Sequence, residues 1–124
     1  IEDSLNQQEM IRTIIDLSAL TGEFVVVNKK QLKKRLSLGI EKRILLDNTQ
    51  EAHAFAQAQG SEHTSWRFLA NLPARHQTAV EVYGSTVLFI TLDRDPCLSV
   101  LLRDAAIAQF HKEQFDFLWN LALE

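Results

Sequence analysis

One cysteine, two prolines and four glycines are all that this chain of 124 residues holds of the residue types that staple or break a fold. Cys97 has no second cysteine to bond, which excludes an internal disulfide framework and fits a reducing cytoplasm. With so little Gly and Pro there is no linker, low-complexity tract or repeat at which to divide the sequence. Residues 1–124 are therefore expected to form a single domain, large enough to bury a core without covalent staples. No apolar run approaches the roughly 20 residues that span a bilayer. The first eight residues, Ile-Glu-Asp-Ser-Leu-Asn-Gln-Gln, have no basic region followed by an apolar core, so they do not read as a signal peptide. No membrane partner is expected. The chain also lacks an initiator methionine, and the expectation is that it is cut from a longer polypeptide whose neighbouring part carries some of the function. A net charge of −3 gives no general attraction to nucleic acid or to anionic lipid.

What is present is an ordinary soluble composition, 46% hydrophobic and 23% charged, which argues against disorder. The spacing of Met10, Ile11, Ile14, Ile15 and Ser18 predicts a first helix from about Asn6 to Ala19, ended by Thr21-Gly22. Phe24-Val25-Val26-Val27 is a β-branched run suited to a strand buried on both faces. Residues 29–38 form a short predicted helix with Leu32 and Leu36 inward, stopped by Gly39. Arg43 to Leu46 reads as a second buried strand. Asp47-Asn48-Thr49 supplies capping residues for a helix running to about Gln59, before Gly60. Beyond Gly60, Trp66–Leu72, Gln77–Tyr83, Thr86–Leu92 and Leu98–Leu102 read as strands. The middle pair is joined by a Gly84-Ser85 turn of type II′. Asp104 caps a last helix. The order α-β-α-β-α-β-β-β-β-α describes an α/β fold, a mixed sheet of about six strands with flanking helices.

That last helix is unusually apolar. At about 100° per residue, Ile107, Phe110, Phe117, Leu118 and Leu121 form one stripe, and Ala108, Phe115, Trp119 and Ala122 form a second beside it. Together they span roughly 200°, about twice what a helix needs to cover a sheet. One half can bury against the chain's own sheet and the other needs a second surface. A homodimer through Phe110, Phe115, Phe117 and Trp119 is the expectation, against the plainer reading of a helix enclosed within its own fold.

The remaining constellations are weaker. Lys29, Lys30, Lys33, Lys34, Arg35, Lys42 and Arg43 put seven cations within fifteen residues. This is either a solvated face or an anion contact, for a phosphorylated effector or for a DNA backbone. Aromatics are not interleaved with these cations, which argues against single-strand stacking. His53, His63, His76 and His111 lie in four separate segments without metal-ligand spacing, so no metal is expected. Asp93-Arg94-Asp95-Pro96 reads as a turn set by Pro96, and Cys97 as a small buried hydrophobe. No phosphate-cradling or dinucleotide glycine motif is present, and no cofactor is expected.

One pattern has a familial look. His76 opens a strand that turns at Tyr83-Gly84-Ser85 into an apolar partner strand, the place where a phospholipase-D-type fold carries a His-x-Lys-x4-Asp motif. Here Thr78 stands at the lysine position and Tyr83 at the aspartate position. Neither can stabilise phosphate charge or orient a histidine nucleophile. Further matches are a leading helix before the strand Phe24–Val27, the basic approach to Lys42-Arg-Ile-Leu-Leu-Asp47, the Ala-rich helix Glu51–Gln59, and the closing Phe117-Leu118-Trp119. In order and texture, residues 7–122 resemble the phospholipase-D-like regulatory domain of TrmB-type winged-helix transcription regulators. The resemblance implies a non-catalytic, effector-sensing and dimerising domain. Contact with DNA would come only through a domain absent from this chain, and a small-molecule effector would contact the basic segment or the hairpin (Lys33, Arg43, His76, Tyr83). The alternatives are the inactive half of a phospholipase-D-like phosphodiesterase and a plain protein-interaction module.

Overall fold

The computed structural model describes residues 9–16, 33–70, 78–91 and 98–123. Six strands form one mixed sheet: β1 (Ile11–Ile15), β2 (Lys42–Asp47), β3 (Thr64–Leu69), β4 (Thr78–Tyr83), β5 (Thr86–Thr91) and β6 (Ser99–Arg103), in the order β3-β2-β1-β4-β5-β6. The first three are mutually parallel, and β4, β5 and β6 join antiparallel to their neighbours. Among the described residues two helices flank the sheet, α1 (Gln50–Gln59) and α2 (Ala105–Leu121), and residues 33–38 are also helical.

The predicted first helix is corrected. Ile11-Arg-Thr-Ile-Ile is a strand, and it occupies the middle of the sheet between β2 and β4. Over five residues a helical and an alternating pattern are hard to tell apart, and here the alternation wins. Ile11, Thr13 and Ile15 are buried on one face, while Arg12 and Ile14 point to the other. β-Branched side chains pack well on a pleated surface and lose rotamer freedom in a helix. The expected strand at Phe24–Val27 lies outside the described residues. In the 33–38 segment, Leu36 is only half-buried and the fully buried side chain is Arg35.

Elsewhere local chemistry sets the elements as expected. Thr49 Oγ1 accepts the Ala52 N–H at 3.1 Å and starts α1. Gly60, at φ 85°, ends it with its own N–H on the Ala56 carbonyl. Gly84 at φ 53° is followed by a serine of ordinary φ, so the Tyr83↔Thr86 hairpin turns through type II′. Asp104 Oδ1 accepts the Ile107 N–H at 2.9 Å and caps α2.

The sheet separates two cores. On one face Ile11, Ile15, Ile44, Leu46, Phe68, Tyr83, Leu88 and Ile90 pack with Ala52 and Ala56 of α1. On the other, α2 runs from β5 toward β3. Its Ala108 meets Val82 and Val87, and its Phe115 and Trp119 meet Leu45. After α2 the chain returns to the sheet, where Leu123 and Phe68 exchange backbone hydrogen bonds of 2.7 and 2.8 Å at the outer edge of β3.

Candidate functional site

The two apolar stripes of α2 have different fates. Ala108, Phe115 and Trp119 are buried against the sheet. The stripe around Ile107, Phe110, Phe117 and Leu121 remains exposed, with Phe110 at 61% and Phe117 at 67%. Together with Gln114, those residues repeat at intervals of three and four, the spacing of the seam by which one helix packs along another. Gln114 is exposed at the midpoint of the seam.

The seam does not end at the helix. The His111 ring stands edge-on to Phe110 at 5.5 Å and to Phe89 at 5.7 Å. Phe89 lies directly opposite Val100 on β6. All of β6 is exposed, including Val100, Leu101 and Leu102, and among the described residues it is an edge strand of the sheet. An apolar surface therefore continues from the outer face of α2 across Phe89 to the β6 edge. Contiguous apolar surface of this kind marks interaction sites, and an uncovered, apolar edge strand is itself a template for pairing.

A second feature lies at the far end of α2. Arg12 and Arg43 are direct neighbours on β1 and β2, and Arg67 lies on β3 two residues beyond Ser65, the residue opposite Arg43. Arg12 is taken by Asp116, at 2.9 and 3.3 Å. The other two flank Trp119. The Arg67 guanidinium stands 4.7 Å from the ring centroid and donates to the Trp119 carbonyl at 2.8 Å, and that of Arg43 stands 5.5 Å away. Phe115 stacks on the same indole at 5.6 Å.

The basic segment thus divides by role. Lys33 and Lys34 are solvent-exposed, and Lys29 and Lys30 lie outside the described residues. Arg35 is buried and donates to the carbonyls of Ile40 and His63 and to Thr64 Oγ1. Burial draws its pKa below the ordinary arginine value, while Glu41 and Glu81 oppose the shift. Lys42 pairs with buried Glu81 at 3.1 Å. Only Arg43 of the described members turns to the α2 face.

The four expected ligand residues do not converge. Lys33 is exposed on the 33–38 segment, Arg43 lies under α2, and Tyr83 is wholly buried in the opposite core. His76 lies outside the described residues. Of the four expected interface residues, Phe110 and Phe117 are exposed, whereas Phe115 and Trp119, at 2% and 6%, are covered by their own chain. The described histidines also stay apart: His53 contacts Asn48, His63 contacts Glu41, and His111 sits between Phe89 and Phe110. The arginine row escaped sequence reasoning because Arg12 joins it only when Ile11–Ile15 is a strand.

No family model and no curated protein matches this sequence. Among solved structures the chain is similar to TrmBL2, an archaeal chromatin protein whose structure shows a novel mode of DNA binding. The TM-score is 0.62 and the identity 18%, over 98% of this chain and 48% of that one. The two share a fold. This chain spans about half the length of TrmBL2. Among the described residues, no helix is long and apolar enough to cross a membrane.

Proposed function

We propose that this chain is the dimerising regulatory part of a DNA-binding regulator, without catalytic activity of its own. The observation that carries the reading is the exposed Ile107-Phe110-Gln114-Phe117-Leu121 seam on a helix whose other side is already buried. A seam of this spacing is self-complementary, so a second copy related by two-fold symmetry is a natural occupant. The fold shared with half of TrmBL2 supports a place beside a DNA-binding part. In such a protein the dimer sets the distance between two DNA-reading helices. An effector shifts that distance only as far as it prefers one arrangement over the other.

The positions where phospholipase-D-type chemistry would sit support a non-catalytic role. Thr78 and Tyr83 lie at opposite ends of β4 and, by the alternation of the strand, on opposite faces. Tyr83 is fully enclosed in the core.

Sedimentation velocity across a concentration series tests the reading. The chain is expected to sediment as a dimer, and Phe117→Glu as a monomer with an unchanged far-ultraviolet circular dichroism spectrum, since Phe117 is exposed on its own chain. A wild-type chain that is monomeric at every concentration, or a Phe117→Glu variant that stays dimeric, would remove the seam from the account.

A further inference from the structure

A cleft of about 690 Å³ opens along β3 between the end of α1 and the C-terminal turns of α2. Its described lining includes Arg43 and Arg67, the polar side chains of Gln57, Ser61, Thr64 and Ser65, and both tryptophans of the chain, Trp66 and Trp119. No aspartate or glutamate is among those residues, in a protein whose net charge is −3. Among the described residues, both charged side chains of this lining are cations.

The two cations are held in place. Trp119 is fixed by Phe115 on the buried side of α2, and both guanidiniums stand against its ring. Arg67 is further tied to the Trp119 carbonyl. Arg43, among the described residues, has no carboxylate or carbonyl partner, and its one charged neighbour in register, Arg12, is already neutralised by Asp116. Ser65 is directly opposite Arg43 on the neighbouring strand and on the same face, so its hydroxyl joins the guanidinium at the cleft wall. The free edge of β3 adds to this. Phe68 turns its backbone groups outward to Leu123, so Trp66, two residues earlier, turns its own N–H and C=O outward as well.

We infer that this cleft binds a small phosphate-bearing molecule, with Arg43 and Arg67 holding the phosphate beside the Ser65 hydroxyl and the Trp119 ring. Guanidinium forks match phosphate oxygens in pairs, and a fork stacked on an aromatic face loses little freedom on binding. The volume falls in the range of small-molecule sites. The phosphates of a DNA backbone have the same chemistry, and the titrations below separate the two sources. The site stands on its own geometry and does not depend on the regulatory reading.

Trp119 makes the test direct, because both guanidiniums stand against its ring. Titration of the intact chain with inorganic pyrophosphate should change the tryptophan fluorescence saturably and shift the Trp119 indole N–H resonance. Arg43→Gln should weaken that binding at least tenfold, and Lys34→Gln, outside the cleft, should leave it unchanged. Ser65→Glu, at an exposed position, places a carboxylate at the wall and should abolish binding even if Arg43→Gln proves poorly folded. Absence of saturable binding, or equal loss in the Lys34→Gln variant, overturns the inference. So does a response to duplex DNA that needs Arg43 while pyrophosphate gives none.

Discussion

Phe115→Ala is expected to lower the free energy of unfolding by about 3–5 kcal/mol, the range for deleting a large aromatic side chain from a packed core. Phe115 is 2% exposed, stacks on Trp119 and packs on Leu45 of the central sheet. Its removal leaves a void beneath α2 that the flanking Ile14 and Leu69 can only partly fill. Phe115→Glu should fail to fold, since it would bury a carboxylate among the apolar side chains of Leu45, Ile14 and Leu69. Phe117, two positions on, is 67% exposed and should tolerate the same change. The contrast separates a core phenylalanine from a surface one within one turn of helix. Urea denaturation of the two variants side by side measures it, and a loss for Phe115→Ala under about 1 kcal/mol would contradict the packing described.

Lys42→Met is expected to be comparably damaging for an electrostatic reason. The Lys42 ammonium lies 3.1 Å from Glu81 Oε1, with side-chain exposures of 14% and 7%, and Thr13 Oγ1 donates weakly to the same oxygen at 3.4 Å. Glu81 Oε2 has no hydrogen-bond partner. Lys42 is the direct ion-pair partner of this carboxylate, with the Arg35 guanidinium acting on it at longer range, and removing only the lysine leaves a buried negative charge without its direct partner, at a cost of about 3–5 kcal/mol. Pairing Lys42→Met with Glu81→Leu should recover most of that loss, because a well-packed apolar pair of similar volume is often as stable as a buried ion pair. Denaturation of the single and double variants completes the cycle. A double variant no more stable than Lys42→Met alone would show that the pair is not the source of the loss.

Much of this architecture could be read from local sequence. The Thr49 and Asp104 caps, the Gly84 turn and the two adjoining apolar stripes of the last helix each rest on a rule that acts within a few residues. The central strand could not. Ile11–Ile15 is too short for its period to decide between helix and strand, and only pairing with β2 and β4, distant in sequence, settles it. The same limit hid the arginine row and the Lys42–Glu81 pair, which depend on register across the sheet. It also blurred the interface residues. A helical wheel shows that α2 has two apolar stripes but not which one meets the sheet, and so does not separate Phe115 and Trp119 from Phe110 and Phe117. Arg35 is a further case: a cation amid lysines reads as solvated, yet three acceptors brought together by the fold bury it.

Cross-linking at the centre of the seam tests the proposed self-association most directly. Gln114 lies midway between Ile107 and Leu121, so in a symmetric helix pair centred on the seam it meets its own copy whether the helices run parallel or antiparallel. In a Cys97→Ser background, Gln114→Cys should oxidise readily to a covalent dimer, while Gln109→Cys, on the polar side of the same helix, should not. Covalent dimer forming no faster from position 114 than from position 109 would contradict the account.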